Sequence, residues 1–214
     1  MRTLEQVNAI VSALEAEYPI AECTLDYNEA WELLVSVRLA AQCTDERVNM
    51  VVPALFAAYP TAEKMALADP EDIEPYIHSC GFYRGKARDI VGAARMLVSE
   101  FGSVVPDNMD DLLRLPGVGR KSANLILGDV YHTPGVVVVD THCIRLSNRM
   151  GLVDELKDPP KIETALRRIL PPEKSSDFCH RLVLHGRAVC PARGPLCEGC
   201  CVREYCQTYE RVYT

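Results

Sequence analysis

The stretch Leu115-Pro116-Gly117-Val118-Gly119-Arg120-Lys121 lies between two segments of helical apolar spacing, and its reading decides how the chain around it folds. Proline disfavours helical backbone in the residue before it and so ends a short helix here. Gly117 and Gly119 allow a tight turn whose backbone can be approached closely. A new helix is expected from about Arg120, which makes the stretch a hairpin between helices. The first N–H groups of that helix lack intrahelical partners and sit at the positive end of its dipole, a site suited to a backbone phosphate. A lone G-x-G is also common in ordinary turns, so its surroundings carry the weight.

Working outward, Leu4, Val7, Ile10, Val11, Leu14 and Tyr18 recur at helical spacing, and Thr3 with Gln6 has the form of a capping box. Asn28 is the expected cap of a helix carrying Trp31, Leu34, Val35 and Leu39, and Thr44 or Asp45 that of the next. Thr61 and Asp69-Pro70 start two short helices. Further helices are expected over 85–101, 107–113, 121–130, 140–150, 160–169 and 175–189. Val136 to Val139 is the one strand-like run. With no alternating strands there is no parallel sheet to build, and the class is all-α, in two helical lobes. Turn formers at Tyr131-His132-Thr133-Pro134-Gly135 mark the boundary between them.

Lys121 stands just before that boundary and Asp140 just after it. At a helix start, beside Arg120, an ammonium ion is disfavoured, and a free amine is the nucleophile that can attack a sugar anomeric carbon and form a Schiff base. Taken as an isolated lysine, it reads first as a solvated residue at a helix start. Asp140 follows four valines and is placed to cap the next helix, which suffices as a structural role. A fixed carboxylate is also compatible with stabilising a cationic sugar or helping to deprotonate the attacking group.

Cys190, Cys197, Cys200 and Cys206 put four soft ligands within seventeen residues. Such a set binds metal, and the spacing alone leaves Zn²⁺ and an iron–sulfur cluster both open. Cys201 is a spare thiol beside a ligand. The other cysteines, at 23, 43, 80, 143 and 179, read as reduced core thiols. The chain of 214 residues is 48% hydrophobic, begins with no basic-then-apolar leader and has no run long enough to span a bilayer. A soluble, cytoplasmic protein that folds as a monomer, away from membranes, is expected.

The formal charge of −7 argues against a nucleic-acid partner, but the acids are clustered in 63–74, 107–111 and 154–163. Basic islands are left at Arg114, Arg120 and Lys121, at Arg181, Arg187 and Arg193, and at Arg84, Lys86 and Arg88.

Leu115 to Asn124, Val139-Asp140-Thr141-His142, Leu184-His185-Gly186-Arg187 and the four-cysteine spacing together closely resemble the endonuclease III family. Its members are helix-hairpin-helix enzymes, both DNA glycosylases and abasic-site lyases, of base excision repair. The resemblance runs from the first helix to Cys206. It implies a six-helix barrel over 22–133, and a cluster domain made from 1–21 and 134–214 that holds a [4Fe–4S] cluster on the four cysteines. The implied partner is double-stranded DNA containing damaged pyrimidines or abasic sites. Lys121 matches the Schiff-base lysine and Asp140 the catalytic aspartate. Gln42, in Ala41-Gln42-Cys43-Thr44-Asp45, matches the residue that fills the gap left by an extruded base. Phe82 stands in the loop of a second wedge, where many relatives have leucine. Gly117, Gly119, Arg120 and Arg193 complete the expected DNA contacts, although the loop around Arg193 is less basic than is usual.

An adenine-mismatch glycosylase is the rival within the fold, but that branch typically lacks the hairpin lysine. A catalytically silent DNA-binding or redox-sensing protein is the rival from another class, and the lysine–aspartate pair disfavours it.

Overall fold

The computed structural model describes residues 2–213, and among them there are helices and turns but no strand. It divides into two compact units, Cys23–Tyr131 and the segment up to Glu22 joined to the chain from His132 on.

The discontinuous unit begins with α1 (Leu4–Glu17), where Thr3 and Gln6 form the expected capping box. It resumes with α9 (Thr141–Met150), α10 (Pro159–Ile169), α11 (Ser175–Ala188) and α12 (Gln207–Tyr213). α11 packs against α9 and α1. The approach to α9 is close because Gly186 of α11 lies against the His142 ring, where a Cβ would collide. Residues far apart in sequence are tied here by charge. The Arg2 guanidinium holds Glu210 through two hydrogen bonds of 2.8 and 2.7 Å, its Nε donates to the Met150 carbonyl, and Lys174 reaches Glu15 at 2.7 Å.

The continuous unit holds α2 (Ala30–Leu39), α3 (Asp45–Ala58), α4 (Ala62–Ala66), α5 (Pro70–Ile77), α6 (Tyr83–Glu100), α7 (Met109–Leu112) and α8 (Arg120–Asp129). α6 is its axis, with α2, α4 and α5 packed on it. Ala87, Ala93 and Ala94 keep that helix slim while Ile90, Val91 and Leu97 fill the core. Buried on most of its circumference, α2 sets Trp31 edge-on to Phe56 with ring centroids 5.3 Å apart.

Several expectations shift. The start of α2 is governed not by the Asn28 side chain but by the buried Glu32, whose carboxylate accepts the N–H groups of Asn28 and Glu29. Val136 to Val139 is buried but is no strand, since no second extended segment pairs with it. The thiols of Cys80, Cys143 and Cys179 are in the core, whereas Cys23 and Cys43 are only half-buried. α12, too short to show a period, was not expected at all.

The packing of α1 makes it an integral part of its unit. Leu14, fully buried, is expected to cost about 2–5 kcal/mol when changed to Ala, while Ser12→Ala on the exposed face of the same helix should fall within about 0.5 kcal/mol. Urea unfolding of the two variants checks this.

Candidate DNA-repair active site

The hairpin is held from below. Arg38 of α2 and Asp89 of α6 form an ion pair, Nε to Oδ2 at 2.7 Å and Nη2 to Oδ2 at 2.6 Å. The turn rests on it: Gly117 has φ +78°, and a Cβ there would lie 2.6 Å from Arg38 Cδ and 2.9 Å from Asp89 Cβ. Leu115 is buried and its carbonyl accepts the Val118 N–H at 3.1 Å, closing the turn. Gly119 differs. It precedes α8 with extended backbone, offers no side-chain cap, and a Cβ on it would meet nothing within 4 Å. The N-terminal N–H groups of α8 thus have no capping side chain, in contrast to α1, α3, α4, α7 and α9, which each have one. Arg120 and Lys121, the first two residues of α8, are exposed, and Lys121 makes no hydrogen bond or ion pair within its unit.

Asp140, in the other unit, caps α9. Its Oδ1 accepts the Cys143 N–H at 2.7 Å, and the four buried valines before it fix the chain's path to that point. The carboxylate is half-buried.

Gln42 and Phe82 share a backbone feature that the sequence does not advertise. Both are exposed, and both have left-handed backbone, φ 57° and 48°. A bulky residue in that region is strained, and such strain is retained where the surrounding structure imposes it. Phe82 is 73% exposed, in an open depression with Tyr83, Arg84 and Arg88, where the Arg84 guanidinium stacks on the Tyr83 ring.

Lys86 imposes part of that geometry. Read from sequence as a member of a surface basic island, it is instead 1% exposed, with Nζ donating to the Leu39 carbonyl at 2.8 Å and the Cys80 carbonyl at 2.9 Å. One ammonium therefore pins the end of α2, three residues before Gln42, to the turn two residues before Phe82. Burial pulls its pKa down. The other islands are smaller than expected too. Arg114 is neutralised by Asp111 and Glu100, and Arg181 is buried, donating to the Tyr18 carbonyl with Asp177 at 3.8 Å. Two of these carboxylates, Asp111 and Asp177, lie three and four residues before their arginines, a helical spacing that could have revealed both pairs.

Cys190, Cys197, Cys200 and Cys206 line one cavity, partly open to solvent, together with Arg149 and His185. Cys201 is not among its walls. Arg149 Nη1 donates to Cys190 Sγ at 3.1 Å and to the Pro191 carbonyl at 2.7 Å, and Nη2 to the Ala192 carbonyl at 2.8 Å. His185 Nε2 lies 3.3 Å from Cys200 Sγ, with its Nδ1 on the Tyr18 hydroxyl. Arg193 is exposed on the loop that Arg149 fastens. Among the described residues, no three Cys, His, Asp or Glu side chains converge closely enough to hold a single metal ion.

Residues 35–172 match the family model of the HhH-GPD superfamily base excision DNA repair proteins. Endonuclease III of Synechocystis sp. is 46% identical over 202 residues, 94% of this chain and 92% of that protein. The protein belongs to the endonuclease III family. The family's Bacillus subtilis member is 36% identical over 97% of this chain and 94% of its own length. Among solved structures, a trapped endonuclease III–DNA covalent intermediate superposes with TM-score 0.91 at 36% identity, covering 99% of each chain. A non-covalent endonuclease III–DNA complex superposes equally well, covering 99% of this chain and 98% of that one. A thermostable thymine-DNA glycosylase, 22% identical with TM-score 0.86, shares the all-α fold.

The two hairpin glycines should separate on substitution. Gly117→Ala meets both a positive φ and the Arg38–Asp89 pair, and is expected to lose about 1–3 kcal/mol, whereas Gly119→Ala should stay within about 0.5 kcal/mol of the parent. Thermal or urea denaturation of the pair decides it.

Proposed function

We propose that the protein removes damaged, chiefly oxidised, pyrimidines from duplex DNA and nicks the abasic strand by β-elimination, with Lys121 as nucleophile. As an enzyme of base excision repair it acts on DNA as glycosylase and abasic-site lyase. The observation that carries the residue assignment is the start of α8, where uncapped N–H groups and an unencumbered Lys121 stand side by side on a hairpin.

In this reading a DNA phosphate takes the open N–H groups of α8, with Arg120 beside it. The empty space around Gly119 leaves room for the phosphate to approach the backbone. The target nucleotide must leave the stack before an amine can reach its anomeric carbon, and Gln42 and Phe82 occupy the space vacated. Lys121 Nζ, as the free amine, attacks C1′, and the base departs with the bonding electron pair. The sugar ring opens to a Schiff base on the lysine, and loss of a C2′ proton then expels the 3′ phosphate. Asp140, held by the Cys143 N–H, stabilises the positive charge that develops on the sugar and helps to take up the lysine proton. One of the similar structures is a trapped covalent intermediate between endonuclease III and DNA, the kind of species that a lysine nucleophile generates.

The four cysteines lining a single cavity fit a [4Fe–4S] cluster, which needs more room between its ligands than a lone tetrahedral ion. Cys190, Cys197, Cys200 and Cys206 would hold it, with Arg149 and His185 donating to two of the sulphurs. Bound there, the cluster supplies a rigid anchor. Arg149 binds both the Cys190 Sγ and the 191–192 carbonyls, so Arg193 would be presented to DNA on a fastened loop.

Borohydride added during turnover is expected to leave DNA covalently attached to the wild-type protein. Lys121→Gln should abolish trapping and nicking yet still bind abasic DNA, because the phosphate contacts of α8 come from backbone N–H groups. Asp140→Asn should slow base removal by about 10²-fold or more while its amide oxygen still caps α9. Undiminished trapping by Lys121→Gln would refute the assignment.

For the cluster, purified protein should be brown and contain close to four irons per chain, about the complement of one cubane. Cys201→Ser should keep the colour and Cys197→Ser should lose it. Stoichiometric zinc in a colourless protein would refute the ligand reading.

A further inference from the structure

Cys43 and Cys80 lie outside everything the mechanism uses, yet they sit where the two wedge loops meet. Cys43 follows Gln42 directly, and Cys80 comes two residues before Phe82. Lys86 ties the carbonyl of Leu39, four residues before Cys43, to that of Cys80, and the two thiols are neighbours close enough to interact although far apart in the chain. The helix that follows Cys43 packs on the 3₁₀ turn that ends in Cys80, and Lys86 binds the Cys80 carbonyl from below. The pair is asymmetric in access: Cys43 is half-buried, Cys80 is 2% exposed. That is the arrangement in which one thiol meets an external reagent and the other resolves the product.

We propose that Cys43 and Cys80 are a disulfide-forming pair that reacts with low-molecular-weight disulfides of the glutathione type and, once closed, withdraws the Gln42 loop from DNA. The regulatory half of this rests on the reading of Gln42 and Phe82 as wedges. The Cys43 thiolate attacks one sulphur of the small disulfide, forming a mixed disulfide and releasing one thiolate. Cys80 then attacks the Cys43 sulphur, the S–S bond to the second small thiol breaks, and the Cys80 proton leaves with it. Two protein thiols are oxidised and one small disulfide is reduced to two thiols. Burial pushes the Cys80 thiol up to about 11, against the opposing pull of the Lys86 ammonium, so Cys80 suits the resolving step better than the first.

Closure changes the loop because two neighbouring, unbonded sulphurs must come to about 2.05 Å. Lys86 and the packed turn fix Cys80, so the half-exposed Cys43 does the moving. Gln42, already held at φ 57°, is drawn inward with it.

Holoprotein treated anaerobically with oxidised glutathione, alkylated and digested should give a linked Cys43–Cys80 peptide. Cys143 and Cys179, likewise neighbours but 0% and 3% exposed, should be recovered alkylated. Affinity for a duplex with a stable abasic analogue should fall roughly tenfold and return with dithiothreitol. Cys43→Ser should form no link and keep its affinity in oxidised glutathione. Absence of the linked peptide from wild-type protein would overturn the proposal. So would a linked protein that binds DNA as tightly as the reduced one. Reduced Gln42→Ala assigns the fault in that case: if it binds as tightly as the parent, the wedge reading has failed, and if it binds weakly, the switch has.

Discussion

The Arg38–Asp89 ion pair carries the hairpin. It joins α2 to α6 at a point where the hairpin backbone must pass within a few ångströms, and only a residue without Cβ and tolerant of positive φ can pass there. Half-buried opposite charges are costly to leave unpaired, so the pair fixes the spacing of the two helices as well as the seat of the turn. From that seat α8 starts with its N–H groups uncapped, and Lys121 follows in the first turn. The position of Lys121 is thus set by contacts of the hairpin to α2 and α6. Gly117 and Gly119 look alike in sequence, but one is required by what lies beneath it and the other leaves space for what approaches from outside.

Lys86 does the corresponding work for the Gln42 and Phe82 loops. A buried ammonium with two carbonyl acceptors is tolerated because both acceptors are the last carbonyls of helical turns, where orphan C=O groups and the negative dipole end favour a cation. The same contact aligns two loops whose exposed residues have strained backbone. Arg181 and Lys86 are buried and Arg114 is paired at the surface with Asp111 and Glu100, while Arg84, Arg88, Arg120, Lys121 and Arg193 are exposed. In the proposed reading a net-acidic protein binds DNA through backbone N–H groups and a handful of well-placed side chains, rather than through a broad basic face.

The sequence by itself determined the all-α class, the helix order, the hairpin, the capping role of Asp140 and the grouping of four cysteines. These are local properties, written in apolar spacing, turn residues and cap residues within a few positions of one another. It also contained the carboxylates that neutralise Arg114 and Arg181, at helical spacing, although charge runs alone concealed them. Only the tertiary structure decided that Lys86 is a buried pin, that Gly117 is sterically obligatory while Gly119 is not, that the Glu32 carboxylate rather than the Asn28 side chain holds the start of α2, and that Cys43 neighbours Cys80. Each of these depends on groups brought together from distant parts of the chain, Lys86 with Leu39 or Gly117 with Arg38. No period or spacing records such a meeting, because burial and pairing are decided by packing between elements, not by the propensities of the residues within one.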